Sequence, residues 1–275
     1  VRKVSLLINI VLASLLLSSC AKVNEPLKIG FVGGLSGSGS DLSVTAMYGA
    51  MLAVETINAS GGIKNHQVQL VIENDESDPQ VALESVQSLI EQDCRFIIGP
   101  MISSLVTTTV PYINEQDALL ISPTISFDSL SGIDDHFIRL IPSNATQAAL
   151  LFDAISSLGT GRLSILVANR NALFAQAFIA ASIEQSSDNV TLVETRQFDS
   201  VSTLDVHSLI DGYIEQEVDS LLIVASGDEI AELAQLFELY DYHPTVFLPM
   251  WAMTNDLIVR SGRGSEGFYG VNNVD

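Results

Sequence analysis

From Leu27 onward the sequence alternates short apolar runs with longer stretches of helical period, and this alternation limits the fold more than any other feature. LKIGFVG, QVQLVIEND, RFIIGP, ALLISP and HFIRLIP are followed by RLSILVA, VTLVETRQF, DSLLIVA, PTVFLP and a short EGFYGV. Between these runs the pattern predicts helices over 41–58, 79–92, 103–115, from Ser143 to about Leu158, and near 173–186, 203–216 and 228–239. Strands separated by single helices pair in parallel only through crossovers, which places helices on both faces of a doubly wound sheet. Near-continuous apolar runs such as RFII and ALLI fit strands buried on both sides. The predicted class is α/β: two doubly wound lobes with mostly parallel sheets, joined near 140–145.

Local signals support the element ends. Asp78 precedes Pro79, an N-cap followed by proline at the first helical position. Tyr48, Met51, Leu52 and Ile57 lie near one face of the first helix, and Gly61-Gly62 stop it. By these boundaries one lobe runs over 27–142 and a second over 143–270, with 271–275 starting a return crossover whose remainder is missing, so that the fold is truncated at its C-terminal side.

The first residues, VRKVSLLINIVLASLLLSSC, carry two early basic residues, an apolar run and then small residues. That order is a secretory signal, interrupted by Asn9 and Ser14 and short for a membrane span. Its ending, Leu17-Ser18-Ser19-Cys20, looks like a bacterial lipobox in which Cys20 is acylated after removal of 1–19; residues 20–26 then form a polar tether. Acyl chains on Cys20 would anchor the protein to the membrane on the exported, periplasmic or extracellular face. Cys94 alone then remains, so no disulfide forms within the mature chain.

Charge and motif exclude several functions. With 33 acidic against 12 dispersed basic residues and a formal charge of -21, the chain lacks the clustered Lys and Arg that nucleic acid requires. His66, His136, His207 and His243 are far apart in sequence, and no zinc spacing is present. GGLSGSGSD at 33–41 lacks the Gly-Lys-Ser/Thr ending of a phosphate loop, and there is no Gly-x-Ser-x-Gly elbow. The acidic run Glu73, Asp75, Glu76, Asp78 does not follow a calcium-loop spacing, and capping accounts for Asp78. The sequence thus gives no reason to expect an enzyme, a cofactor or a metal.

LLISPTISF at 119–127 and FIIGPMISS at 96–104 each run an apolar strand into a cluster of hydroxyls. In open α/β sheets ligands lie beyond the carboxyl ends of the strands, where helix N-termini also point unpaired amides. Such a hydroxyl can cap its helix and still offer the neighbouring amides to an anion.

The order of segments resembles the periplasmic branched-chain amino-acid-binding family, the type I solute-binding proteins of ABC importers. The resemblance rests on IGFVGGLSGSGS followed by YGAMLAVETINASGGI, then ESDPQVALESV, IIGPMISS and LLISPTIS. It implies two lobes linked by three crossovers, closing on an amino acid or similar small carboxylate-bearing solute, with ABC permease subunits as partners. By position it implies ligand contacts from Ser103, with Ser104 beside it, from Thr124, and from Ser126. In the second lobe, Phe174 stands near the family's Tyr-Gly pair, Ser226 where an aromatic residue is common, and Trp251 where an acid often receives the ligand's ammonium. An alternative keeps the fold without transport, as a sensory or regulatory lipoprotein partnering a receptor or a cell-wall enzyme.

Overall fold

The computed structural model describes residues 24–36, 40–159, 161–185 and 190–272. The predicted leader, Cys20, most of the tether, Gly37-Ser38-Gly39 and the last three residues lie outside them.

Among the described residues ten strands form two five-stranded sheets, each built from one half of the chain. The first contains β1 (Leu27–Gly33), β2 (Val68–Asn74), β3 (Phe96–Ile98), β4 (Leu119–Ser122) and β5 (Phe137–Arg139), in the order β2-β1-β3-β4-β5. The second contains β6 (Arg162–Ala168), β7 (Thr191–Phe198), β8 (Ser220–Val224), β9 (Thr245–Leu248) and β10 (Tyr269–Gly270), in the order β10-β9-β8-β6-β7. All pairings between these strands are parallel, so within each sheet all carboxyl ends share one edge. Among the described residues one connection, between Arg139 and Asn144, joins the sheets.

Helices α1 (Asp41–Ala59), α2 (Pro79–Glu91) and α3 (Val106–Ile113) belong to the first sheet. α4 (Asn144–Leu158), α5 (Ala172–Gln185), α6 (Val206–Glu215), α7 (Gly227–Leu239) and α8 (Asn255–Ser261) belong to the second. The predicted cap at Asp78 forms, and Ser143 caps a further helix. Asp78 Oδ1 accepts from the amides of Gln80 and Val81 at 2.8 and 3.1 Å, and Ser143 Oγ accepts from the Thr146 amide at 3.3 Å. The predicted helix from 103 begins instead as a tight 3-10 turn, Ser103–Leu105, before α3. No α-helix separates β4 from β5; a short 3-10 turn, Asp128–Leu130, takes that place.

The second sheet is covered on both faces. Leu163, Ile165 and Val167 point to a core under α4 and α5, whereas Leu166 and Ala168 point to a core under α6, α7 and α8. This is the period-2 alternation of a strand with two apolar faces.

The first sheet differs from the expectation of strands buried on both sides. Ile97 and Leu120 enter the core beneath α2 and α3, but Phe96 is 52% and Ile138 43% exposed. The opposite face is covered only where α1 crosses β1 and β2. α1 itself meets the sheet through a different stripe from the one its large residues suggest. Tyr48, Met51 and Leu52 face solvent, while Ser43, Met47, Ala50, Val54 and Ile57, spaced by four and three, are the buried or half-buried positions. A Cβ on Gly33 would stand 3.2 Å from that of Ser43, an approach that selects small side chains. Asn58 fixes the far end of α1, exchanging two hydrogen bonds with the backbone of Val68 at 2.7 and 2.8 Å.

Candidate functional site

The carboxyl ends of the first sheet are tied together before they present anything to a ligand. After β3 the chain turns at Gly99, whose φ is +114°, and a Cβ there would lie 2.0 Å from the Val32 carbonyl oxygen of β1. Only glycine permits this approach, which swings Met101 and the turn Ser103–Leu105 to the mouth of the sheet. Ser122, at the end of β4, donates to the Pro100 carbonyl at 2.8 Å and accepts from the amides of Thr124 and Ile125 at 3.3 and 3.2 Å. Thr124 donates to the Met101 carbonyl at 2.6 Å. Ser126 donates to Asn144 Oδ1 at 2.5 Å, reaching the first turn of α4 beyond the connection between the sheets.

Ser103 behaves differently. It is 2% exposed, and its hydroxyl has no hydrogen-bond partner among the described residues. Nor is it the N-cap of its helical run, a position held by Ile102. Ser104 stands beside it, and its carbonyl accepts from Thr107 Oγ1 at 3.1 Å.

The second sheet supplies an aromatic corner. Phe174, in the first turn of α5, stacks on Phe178 at 5.5 Å between ring centroids. Trp251 comes from the 3-10 turn Met250–Ala252 after β9 and meets Phe174 edge-on, at 5.3 Å and 72°. Asn171 ends the turn after β6; it is 4% exposed, and its Oδ1 is without a partner among the described residues. Gln147 of α4 holds this side to the connection, accepting from the Met250 amide at 3.3 Å and donating to the Pro142 carbonyl at 3.1 Å. Across the mouth Leu173 packs against the core of the first sheet, and α5 touches the turn Ser103–Leu105.

Ser103, Thr124 and Ser126 from one sheet and Phe174 and Trp251 from the other line a single cleft. Its free space is only ≈ 10 Å³, about that of one water-sized sphere. A second, shallower space of ≈ 50 Å³ continues along Trp251, Pro123 and Ile141. Ser104 and Ser226 are outside both linings. Ser226 is engaged at the start of α7: its amide donates to Glu229 at 3.2 Å, and its hydroxyl lies 2.7 Å from the same carboxylate and 2.5 Å from Asp228. Asn171 and Gln147 also line the cleft. Asn171 sits just past the carboxyl end of β6, and that position was its only sequence signal.

The nearest acid in sequence to the lining is Asp41, next to Leu42. Burial raises its pKa above the usual carboxylate value, opposed by the Thr254 hydroxyl and the Leu42 amide and reinforced by the charges of Asp228 and Asp256. Among the described residues no group of three or more His, Cys, Asp or Glu side chains is placed to hold a metal. No described helix is long and apolar enough to cross a membrane.

Residues 26–274 match the family model described as periplasmic binding protein. The chain belongs to the periplasmic binding protein family. Its fold is the two-lobed, parallel-sheet, type I form of that family. The LivJ branched-chain amino acid transporter substrate binding protein of Streptococcus pneumoniae, solved in complex with isoleucine, superposes with a TM-score of 0.81 at 20% identity, over 91% of this chain and 73% of that one. A solute binding protein of an ABC transporter from R. palustris, in complex with benzoate, gives 0.76 at 16% identity, over 89% and 68%. In sequence, the Leu/Ile/Val-binding protein of Escherichia coli K12 is 29% identical over 108 residues, 39% of this chain. That match spans 29% of the relative's length.

Proposed function

We propose that this periplasmic binding protein is an exported receptor that closes its two lobes over a small, carboxylate-bearing solute and delivers it to the permease of an ABC importer. The observation that carries the reading is the cleft itself. Donors at the carboxyl ends of β3 and β4 face an aromatic corner at the carboxyl ends of β6 and β9. An anion at such a position meets hydroxyls and helix-end amides, which stabilise it without an opposing Lys or Arg.

The lobes of this reading are residues 27–142 and 143–270, hinged at the connection near Pro142. Ser103, Thr124, Ser126, Phe174 and Trp251 are the proposed contacts, with Ser104 and Ser226 acting from behind them. Residues 1–19 serve as the export signal, and Cys20 carries the lipid that holds the receptor at the membrane. Mechanistically the protein performs no covalent step. Binding energy is realised as the lobes close, and the permease reads the closed form.

Calorimetry of the full chain against a panel of amino acids and organic acids tests this. At least one saturable binding isotherm is expected. A silent panel, with the protein folded by circular dichroism, would reject the reading. Trp251 is the sole tryptophan in the chain, so its emission reports the cleft directly.

A further inference from the structure

The cleft is defined as much by the groups it lacks as by those it presents. Among the described residues, no Asp, Glu, Lys or Arg lines either part of it. Asp41, the acid adjacent to lining residue Leu42, is not part of the wall. Two of the hydroxyls are already committed, Thr124 to the Met101 carbonyl and Ser126 to Asn144. The polar atoms left for a ligand are the Ser103 hydroxyl and the Oδ1 acceptor of Asn171, on residues more than nine-tenths buried; of the two, Asn171 Oδ1 is buried without a partner among the described residues. Most of the remaining wall is apolar: Trp251 against Phe174, with Leu42, Ile141 and Met250.

Each part of this inventory selects a chemical feature. Neutral donors beside Ser103 suit one carboxylate. The edge-to-face aromatic corner suits a ring or a branched apolar body. Asn171 can satisfy one neutral polar substituent. An α-ammonium would be stripped of water with no carboxylate to receive it, a cost that separates amino acids from their deaminated counterparts.

We propose that the cleft selects an apolar monocarboxylate without an α-ammonium group, a ring-bearing or branched-chain acid, over the α-amino acid of the same skeleton. This rests on the solute-receptor reading above and specifies its ligand class.

The test uses matched pairs on the full chain at neutral pH: leucine against 4-methylpentanoate, and phenylalanine against 3-phenylpropanoate, each by calorimetry and by Trp251 emission. The deaminated member is expected to bind at least about tenfold tighter in at least one pair, and no more weakly in the other. In Trp251→Ala its affinity falls by about tenfold or more. Asn171→Leu removes any preference for a hydroxylated ring acid over its parent. Tighter or equal binding of the amino acid in both pairs overturns the inference and leaves the receptor reading standing. No binding by any of the four, in folded protein, also overturns it. Silence across the wider panel of amino and organic acids defeats the receptor reading itself.

Discussion

Asp75 shows how far a single buried carboxyl can set the solution behaviour of this molecule. It is fully buried, its Oδ1 accepts from the Ser77 amide at 2.8 Å, and its other oxygen has no partner among the described residues. Burial pushes its pKa up from 3.8 to about 6. Below pH 4 both folded and unfolded chains hold the proton and the group contributes nothing. As pH rises through the interval to 6, the unfolded chain ionises first, so folding weakens by up to about 3 kcal/mol and stays weakened above it. Asp75→Asn keeps the acceptor for Ser77 and removes the ionisation. Its denaturation midpoint is expected to exceed the parent's at pH 8 and to match it at pH 3.5; an equal advantage at both would sink this account. Ser122→Ala tests the fastener between strand ends. It leaves two amides and the Pro100 carbonyl without their hydroxyl, and a loss of about 1–3 kcal/mol in urea unfolding is expected. Residues of this kind mark the limit of what sequence conveys. The hydroxyls of LLISPTISF were legible as a sheet end because strand and helix patterns flank them. Which of them fasten and which face the cleft depends on Pro100 and Asn144, brought in from 22 and 18 positions away. Asn171 was hidden for the same reason: in sequence it is an ordinary turn residue.

Among the elements, capping was legible and facing was not. Asp78 beside Pro79 announces its role within two residues, and the structure adds Ser143 as the cap of α4. α1 carries apolar residues on two stripes, and periodicity alone favours the bulkier one. The sheet takes the smaller stripe because close approach to Gly33 admits little more than Ser43. The same limit applies to β3 and β4, whose apolar runs predicted two covered faces. One face of each packs under α2 and α3; the other leaves Phe96 of β3 to solvent, as neighbouring β5 does Ile138. An apolar face of this kind is expected to bind a hydrophobic dye. The double variant Phe96→Ser, Ile138→Thr should lower dye emission by at least half without moving the far-ultraviolet dichroism. Unchanged emission would place the dye elsewhere.

For the whole molecule, the proposed receptor function makes separation of the lobes the governing equilibrium. Asp41, on the first lobe, is half-buried, close enough to Thr254, Asp228 and Asp256 of the second for them to act on its pKa. Burial in the closed form raises its pKa, and separation returns it to water. Closure therefore binds protons and strengthens as pH falls through the raised value. Small-angle scattering should show the radius of gyration decreasing as pH falls from neutral toward the ordinary carboxylate value of 3.8, and Asp41→Asn should flatten that dependence. A parent protein with no pH response would remove Asp41 from the closing mechanism. The division of the two sheets between the halves of the chain has a consequence in time as well as in space. Every described strand of the first sheet precedes Pro142, and every described strand of the second follows it. During synthesis the first half can therefore reach its parallel pairings while the second is still being made, with no long-range partner to wait for. Ser126 and Asp128 are exceptions: their hydrogen-bond partners Asn144 and Ala145 arrive only with the second half. The cleft is thus among the last features of the molecule to become native.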